Sequence, residues 1–214
     1  MTQRKWKFKL LVLALTAISG ASASAMTVLT LNSTQTAGLG SGPFGTVTLT
    51  QNGANEVDVS VVLTNGFRFL ETGGPHDAFT FNLPTLTGYT VTNITATQDT
   101  NSPVRTAHPY VWLQPGSNPA YGTYTDKLEC SGCGNGGSNA FAKAISFQVH
   151  RAAGVTESSF KPNADGYVFS ADLWRASNGQ TGAVASAVPE PETYAMMLAG
   201  LTALGFIARR RKPA

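Results

Sequence analysis

The two cysteines of the chain, Cys130 and Cys133, form a C-x-x-C pair. That spacing supports thiol redox chemistry when a helix begins at the first cysteine, because the helix N-terminus lowers the pKa of its thiol. Three of the four residues at 134–137 are glycine, which disfavours such a helix. In an oxidising compartment the pair therefore predicts a disulfide that pins a glycine-rich loop.

Metal binding is the second chemistry that the residue types could support. Zinc at the cysteine pair needs two further ligands, and none of the histidines His76, His108 and His150 lies at ligand spacing from another. Residues 163–166 resemble the centre of a calcium loop, but Lys161 stands where the first acid belongs. We therefore interpret 163–166 as a turn that leads into a strand, and we predict no metal and no other cofactor.

Four aromatic residues in the proline- and glycine-rich segment 110–124 are candidate glycan contacts. They are Tyr110, Trp112, Tyr121 and Tyr124. Exposed rings could stack on sugar rings, whereas buried rings would form a small hydrophobic cluster beneath a loop. The first alternative predicts a carbohydrate-binding module, and the second predicts a purely structural segment.

No sequence pattern identifies a catalytic residue. His76 and Asp77 resemble half of a catalytic dyad, but the chain contains no G-x-S-x-G motif. We assign His76 to a loop that turns into the strand at Phe79. A carboxylate pair for glycoside hydrolysis would meet only in the folded protein, and the sequence does not select two of the acids. We therefore predict that the protein is not an enzyme, and a secreted glycosidase ranks third among the candidate functions.

Alternation of apolar and polar residues with a period of two predicts the strands that would position these groups. The pattern is clear at 46–50, 56–63, 79–83, 145–150 and 167–173, and it is weaker at 27–31, 89–97 and 110–113. One wet and one dry face on each strand predicts an all-β protein with a single antiparallel β-sandwich, jelly-roll-like, over residues 26–174. The small and polar residues 175–187 predict a linker to the C-terminal tail.

The first 25 residues have the three parts of a secretory signal peptide. Four bases and no acid lie within residues 1–9, an apolar run covers 10–18, and small residues follow as far as Ala25. We predict cleavage by signal peptidase between Ala25 and Met26. The apolar run is shorter than the roughly 17–25 residues of a membrane-spanning helix, which argues against a permanent anchor.

The C-terminal end repeats this arrangement in reverse. Residues 194–208 are uncharged and predict an apolar helix, and four bases follow it. These bases are Arg209, Arg210, Arg211 and Lys212. As a helix the apolar segment spans about 22 Å, less than the roughly 30 Å of a hydrocarbon core. We therefore predict a short transmembrane helix that anchors the precursor temporarily, with the bases as a stop signal on the cytoplasmic side.

Residues 188–194, Val-Pro-Glu-Pro-Glu-Thr-Tyr, together with the apolar segment and the bases, resemble the PEP-CTERM sorting tail. The resemblance is specific, because the three parts occur in the right order over about residues 188–212. It implies a precursor held transiently in the inner membrane of a Gram-negative bacterium and processed by exosortase. The processing motif would consist of Pro189, Glu190 and Pro191. Such tails are sometimes called ice-binding protein C-terminal domains, a name that implies no ice chemistry here.

Charge separates the two ends of the chain from its body. Eight of the 15 bases lie in the ends and two of the 12 acids lie in the tail, so residues 26–188 carry a net charge near −3. The basic balance of the whole chain therefore belongs to targeting, and we predict no nucleic-acid partner.

Together these features predict an exported cell-surface or extracellular-matrix protein without enzymatic activity, made as a membrane-anchored precursor. Its expected partners are signal peptidase and exosortase as processing enzymes. Through the family resemblance, the exopolysaccharide of a biofilm is a further expected partner. The alternative function is a carbohydrate-binding module that uses the aromatic segment 110–124.

Overall fold

The computed structural model describes residues 25–99, 108–187 and 199–202 of the 214-residue chain. Within these residues the chain forms fourteen β-strands, and every strand pairing is antiparallel. The strands are β1 (Met26–Leu31), β2 (Ser33–Thr34), β3 (Gly45–Gln51), β4 (Glu56–Leu63), β5 (Phe67–Phe69), β6 (Phe79–Phe81), β7 (Thr90–Gln98), β8 (Tyr110–Leu113), β9 (Gly116–Asn118), β10 (Gly122–Tyr124), β11 (Asp126–Cys130), β12 (Ala142–His150), β13 (Tyr167–Arg175) and β14 (Thr181–Ala187). Short 3₁₀-helices occupy Ala37–Leu39, Gly137–Asn139 and Glu157–Ser159.

Five strands form the first sheet, in the order β1–β3–β4–β12–β7. Along β4 the buried residues Val57, Val59 and Val61 alternate with more exposed polar residues. The strand register carries this alternation across the sheet, because Val61 lies opposite Val47 on β3 and Ile145 on β12. The sheet therefore presents one apolar face to the core.

The second sheet has the order β2–β14–β13–β6–β11–β8, and β5 also pairs with β13. β5 and β6 lie along the same edge of β13, and the chain leaves that edge between Leu70 and Ala78. The backbone of Asp172 spans the gap, because its carbonyl accepts a hydrogen bond from the Leu70 N–H and its N–H donates to the Ala78 carbonyl. Asp172 of β13 therefore holds both ends of the loop formed by residues 71–77. We call this loop the excursion 71–77.

Aromatic rings from both sheets meet in the core. Phe79 and Phe81 on β6 contact Phe147 on β12, with ring centroids 6.2 and 5.1 Å apart. Phe79 also stacks on Phe169 of β13 at 5.7 Å. Burial of each such ring stabilises the fold by about 1.5–3 kcal/mol. Two antiparallel sheets packed face to face confirm the predicted all-β sandwich.

All eight predicted strands are present, as β1, β3, β4, β6, β7, β8, β12 and β13. The predicted turn at 163–166 is present as well. Its Asn163 side-chain oxygen accepts hydrogen bonds from the N–H groups of Asp165 and Tyr167, at 3.1 and 3.0 Å. These bonds direct the chain into β13.

The predicted linker at 175–187 is wrong. β13 continues to Arg175, and β14 pairs with β13 along most of its length. Ala183 and Ala185 are buried in a cluster with the rings of Tyr121 and Tyr124. Only short side chains fit beneath those rings, so the composition that suggested a linker instead permits close packing. The folded domain therefore extends to residue 187, beyond the predicted boundary at 174.

The two targeting ends lie mostly outside the described residues. Signal-peptide cleavage, the processing motif and the basic stop signal therefore stay predictions. Ala25 is described, and its carbonyl accepts a hydrogen bond from the Gln51 N–H at 3.0 Å. Residues 199–202 are helical and exposed. Among the described residues, no helix is both long and apolar enough to cross a membrane.

Candidate functional site

Three of the four candidate glycan contacts are buried. Tyr110 is 6% exposed, Tyr121 is 1% exposed and Tyr124 is 3% exposed. Tyr110 packs against Phe141 with ring centroids 5.7 Å apart, whereas the other two tyrosines cover β14. The prediction that these tyrosines contact a glycan is therefore wrong, because their rings fill the protein interior. Trp112 is the partly exposed member of the four.

Trp112 lies in a groove at the edge of the second sheet. Its strand, β8, ends the sheet order, and Tyr89 approaches it from the segment just before β7. The two rings have centroids 5.9 Å apart and planes inclined at 47°. We call this feature the Tyr89–Trp112 groove. It has a volume of about 440 Å³, with the segment 83–89 on one side and Trp112, Gln114 and Thr125 on the other.

A buried carboxylate holds the groove together from beneath. Asp126, the first residue of β11, has no exposed surface. It accepts hydrogen bonds from the Tyr89 hydroxyl at 2.9 and 2.8 Å, from Trp112 Nε1 at 2.8 Å, from Gln114 Nε2 at 2.8 Å and from the Thr125 hydroxyl at 2.5 Å. All four donors are neutral, so hydrogen bonds offset the cost of burying this carboxylate. Burial, together with the hydrogen bond to Asp126, raises the pKa of Tyr89 and keeps its hydroxyl protonated as a donor.

A second polar cluster lies where the excursion 71–77 meets β11. Lys127 Nζ lies 3.1 Å from Asp77 Oδ1 and also forms an ion pair with Glu129. Asp77 accepts a hydrogen bond from the Ser117 N–H at 2.6 Å, which ties the excursion to β9. Burial raises the pKa of Asp77, while the hydrogen bonds from Ser117 and Lys127 oppose that shift.

Glu71 belongs to the same cluster and accepts a hydrogen bond from the Cys130 N–H. Burial raises the pKa of Glu71 to about 7. The Cys130 N–H opposes this shift, and the negative charges of Glu129 and Asp77 add to it. A carboxyl that is half protonated near neutral pH can donate or accept a proton, which is the property that acid–base catalysis uses.

Asp172 fixes the start of the excursion. It is fully buried, and its Oδ2 accepts hydrogen bonds from the Thr72 N–H at 2.8 Å and from the Thr72 hydroxyl. Burial raises the pKa of Asp172.

His76 forms an isolated antiparallel bridge with Gly73, which places it in the loop before β6. Over the described ranges of the chain, no three His, Cys, Asp or Glu side chains are grouped so that they could hold a metal ion.

Cys130 and Cys133 are bonded to each other, with Cα atoms 5.5 Å apart. Cys130 is the last residue of β11 and lies opposite Tyr110 of β8, so no helix begins at the first cysteine. This arrangement confirms that the pair can form a disulfide. Oxidation of the mature protein stays a prediction.

Sequence reasoning missed Tyr89, Gln114, Asp126 and Glu71. The sequence pattern around Asp126 contained one indication of its role. Asp126, Leu128 and Cys130 occupy alternate positions of β11, and these positions face the protein interior. A carboxylate at an inward position indicates a hydrogen-bonded site. Tyr89 offered none, because only the tertiary structure brings it to a strand far along the chain.

The C-terminal tail is the part of the chain with a known counterpart. Residues 187–212 match the family model of the PEP-CTERM protein-sorting motif. No curated protein and no solved structure matches the chain. The match begins at Ala187, the last residue of β14, so it adjoins the described part of the folded domain. The motif implies export, a membrane-anchored precursor and processing by exosortase. The chain therefore carries a PEP-CTERM tail, which makes it an exported protein sorted by exosortase to the cell surface.

Proposed function

We propose that the protein is a non-enzymatic component of the cell surface or extracellular matrix, associated with the exopolysaccharide of a Gram-negative biofilm. The observation that carries this proposal is the PEP-CTERM match at 187–212, which directly follows a folded β-sandwich. Signal peptidase removes the N-terminal segment, the inner membrane holds the precursor, and exosortase processes the tail.

The outer face of the first sheet supports a role in a hydrated matrix. Thr48, Ser60, Ser146 and Thr95 lie opposite one another in a single row across β3, β4, β12 and β7. The hydroxyls of Thr95 and Ser146 are 2.7 Å apart. A row of short hydroxyl side chains is uncharged and well hydrated, and such a face is compatible with a polysaccharide gel.

The buried carboxylates support a structural role rather than catalysis. Asp77 ties an excursion to β9, Asp126 holds two aromatic side chains, and Asp172 holds Thr72. Each of these acids accepts hydrogen bonds that position the backbone or a side chain. Buried polar groups of this kind stabilise a single packed arrangement.

Cell fractionation and microscopy test the proposal. An epitope tag inserted after Gly53 should leave both sheets intact, because residues 52–55 form an exposed turn between β3 and β4. We expect the tag to co-localise and co-purify with exopolysaccharide in cells that contain exosortase. Recovery of the tag only as free protein in the medium would contradict the association with polysaccharide.

A secreted glycosidase, which ranks third from the sequence, is an alternative function that the raised pKa of Glu71 favours. A retaining or inverting enzyme needs one protonated and one ionised carboxyl group, and Glu129 lies in the same cluster. Incubation of the exported protein with exopolysaccharide, followed by chain-length analysis, decides between the two functions. Shortening of the chains that is abolished by Glu71→Gln would replace the leading proposal with this one.

A further inference from the structure

The Tyr89–Trp112 groove combines exposed ring surface with a buried anchor. We propose that this groove binds a neutral saccharide chain, whose sugar rings stack on Tyr89 and Trp112. The inference deepens the proposed function, and it rests on that function for the source of the saccharide.

The hydrogen bonds of the two rings leave their faces available to a ligand. The Tyr89 hydroxyl and Trp112 Nε1 both donate to the buried carboxylate of Asp126, at 2.8–2.9 Å. Each ring is therefore fixed at its polar edge. A ligand that stacks on rings already held in place avoids the entropy cost of ordering them.

The opposite wall of the groove is held as firmly. The Leu83 N–H donates to the Thr125 hydroxyl oxygen at 2.7 Å, which fixes the start of the segment 83–89. Arg151 Nε donates to the Thr87 carbonyl at 2.9 Å, which fixes the segment close to Tyr89. The groove is thus formed in the absence of a ligand, as is usual for small-molecule sites.

The chemistry of the lining selects a neutral saccharide. The residues that line the groove include no charged side chain, and they combine apolar surface, such as Leu86, with the polar groups of Thr87 and Gln114. Sugars carry C–H faces for the rings and hydroxyls for the polar groups. An anionic chain would find no cation in this lining, since Arg151 lies outside it and donates to the carbonyls of Thr87 and Gly154. It would also face a domain with a net charge near −3.

The position of the groove suits a long chain rather than a single sugar. Among the described strands, β8 ends the order of the second sheet, so Trp112 lies on an edge strand and Gln114 follows that strand directly. The volume of about 440 Å³ falls within the range of roughly 300–1,000 Å³ typical of ligand sites. A groove at an edge allows a polysaccharide to enter and leave on either side of the bound units.

Affinity electrophoresis of the exported, processed protein tests the inference. Native gels would contain dextran, laminarin or the exopolysaccharide of the producing cells as neutral or native probes, and alginate as an anionic probe. We expect retardation by at least one of the first three and none by alginate. Trp112→Ala should weaken the apparent affinity by about tenfold, since a stacked aromatic contact is lost.

Matched variants separate binding from folding. Leu113→Ala removes an apolar side chain from the next position of β8, on the other face of the strand, and should leave retardation unchanged. Thr87→Arg places a bulky side chain at an exposed position of the groove wall and should abolish retardation without touching the core. Far-UV circular dichroism reports whether each variant is folded.

Two outcomes overturn the inference. One is retardation that survives Thr87→Arg and Trp112→Ala in folded protein, and the other is the absence of retardation by dextran, laminarin and the native exopolysaccharide alike. In either case, co-purification of the tagged protein with matrix would leave the proposed function standing. The opposite combination is also informative. If the groove variants lose retardation but the tagged protein does not associate with matrix in cells, the proposed function is refuted and the groove remains a saccharide site.

Discussion

Asp126 shows how one residue organises a site that no motif announces. It has no exposed surface, yet it serves four neutral side-chain donors that come from three parts of the chain. A buried carboxylate is costly unless it is hydrogen-bonded, so the residue is tolerated only because those donors surround it. Its structural effect is to set the orientation of Tyr89 and Trp112.

Replacement of Asp126 tests this role. Asp126→Asn substitutes a donor for one of the acceptor oxygens, so we expect the free energy of unfolding to fall by about 1–3 kcal/mol. Urea denaturation measures the change. Asp58→Asn is the control, because Asp58 lies on the outer sheet face and accepts a bond from Gln148; we expect its cost to stay below about 0.5 kcal/mol. Equal losses in the two variants would refute the organising role of Asp126.

Glu71 makes stability depend on pH. Its pKa rises from an ordinary value of 4.5 to about 7 in the folded protein, chiefly because it is buried. The folded state therefore holds the proton more tightly than the unfolded chain does. The stability that this proton contributes is complete below about pH 4.5 and is lost as the pH rises to about 7.

Substitution of this residue isolates its contribution. Between pH 5 and pH 8, the free energy of unfolding of the wild-type protein should fall by more than that of the Glu71→Gln variant, which has no carboxyl group to titrate. Urea titrations of both proteins at the two pH values measure the difference. Parallel behaviour of the two proteins over this range would show that Glu71 keeps an ordinary pKa.

At the scale of elements, the disulfide joins the end of β11 to the loop that follows it. Because Cys130 and Cys133 are three positions apart, the closed loop is short and the loss of the bond should cost at most about 2 kcal/mol. We expect Cys130→Ser to remain folded. Mass spectrometry of exported protein, alkylated without reduction, should find neither thiol modified. Two alkylated cysteines would contradict the disulfide.

β14 is a structural part of the sandwich rather than a connector. Val184 and Ala185 are fully buried, and β13 loses its partner along one edge if β14 is removed. A chain that ends at residue 174 should therefore fail to unfold cooperatively, whereas one that ends at residue 187 should unfold in a single transition. Thermal circular dichroism compares the two. A cooperative transition in the shorter chain would restore the boundary at 174.

At the scale of the whole molecule, we expect the folded domain to lie close to the membrane while the precursor is anchored. β14 ends at Ala187, and the predicted apolar helix begins at residue 194. Six residues lie between them, and a fully extended chain of six residues reaches at most about 22 Å. We therefore expect the processing motif at 189–191 to lie between β14 and the bilayer in the precursor, which would limit where exosortase can act.

Changes to the tail separate its two roles. Replacing Pro189, Glu190 and Pro191 with alanine permits the helix to extend, so uncut precursor should accumulate in the inner membrane. Deletion of 209–212 should instead weaken retention, because the cytoplasmic stop signal is lost. Fractionation of cells that carry the Gly53 tag, with and without exosortase, measures both effects. Full-length protein as the main surface species in normal cells would mean that the tail is a permanent anchor.

The sequence alone determined the destination of this protein and the class of its fold. Targeting signals are linear patterns of charge and hydropathy, which is why the sorting tail at 187–212 is recognisable without its three-dimensional arrangement. Strands with a period of two are equally local, because alternate side chains of a strand point to opposite faces whatever surrounds them. The disulfide between Cys130 and Cys133 could also be predicted locally, from the short spacing of the two cysteines and from the oxidising compartment that an exported protein reaches.

The tertiary structure alone decided which side chains are exposed and which segments are joined. Tyr89 and Asp126 are 37 positions apart, and they meet because β7, the end strand of the first sheet, lies against β8, the neighbour of β11 in the second sheet. Tyr121 and Tyr124 and the small residues of β14 explain each other's burial, since each set fills the space that the other leaves. Such mutual packing is a property of the assembled core, and no local pattern in either segment contains it.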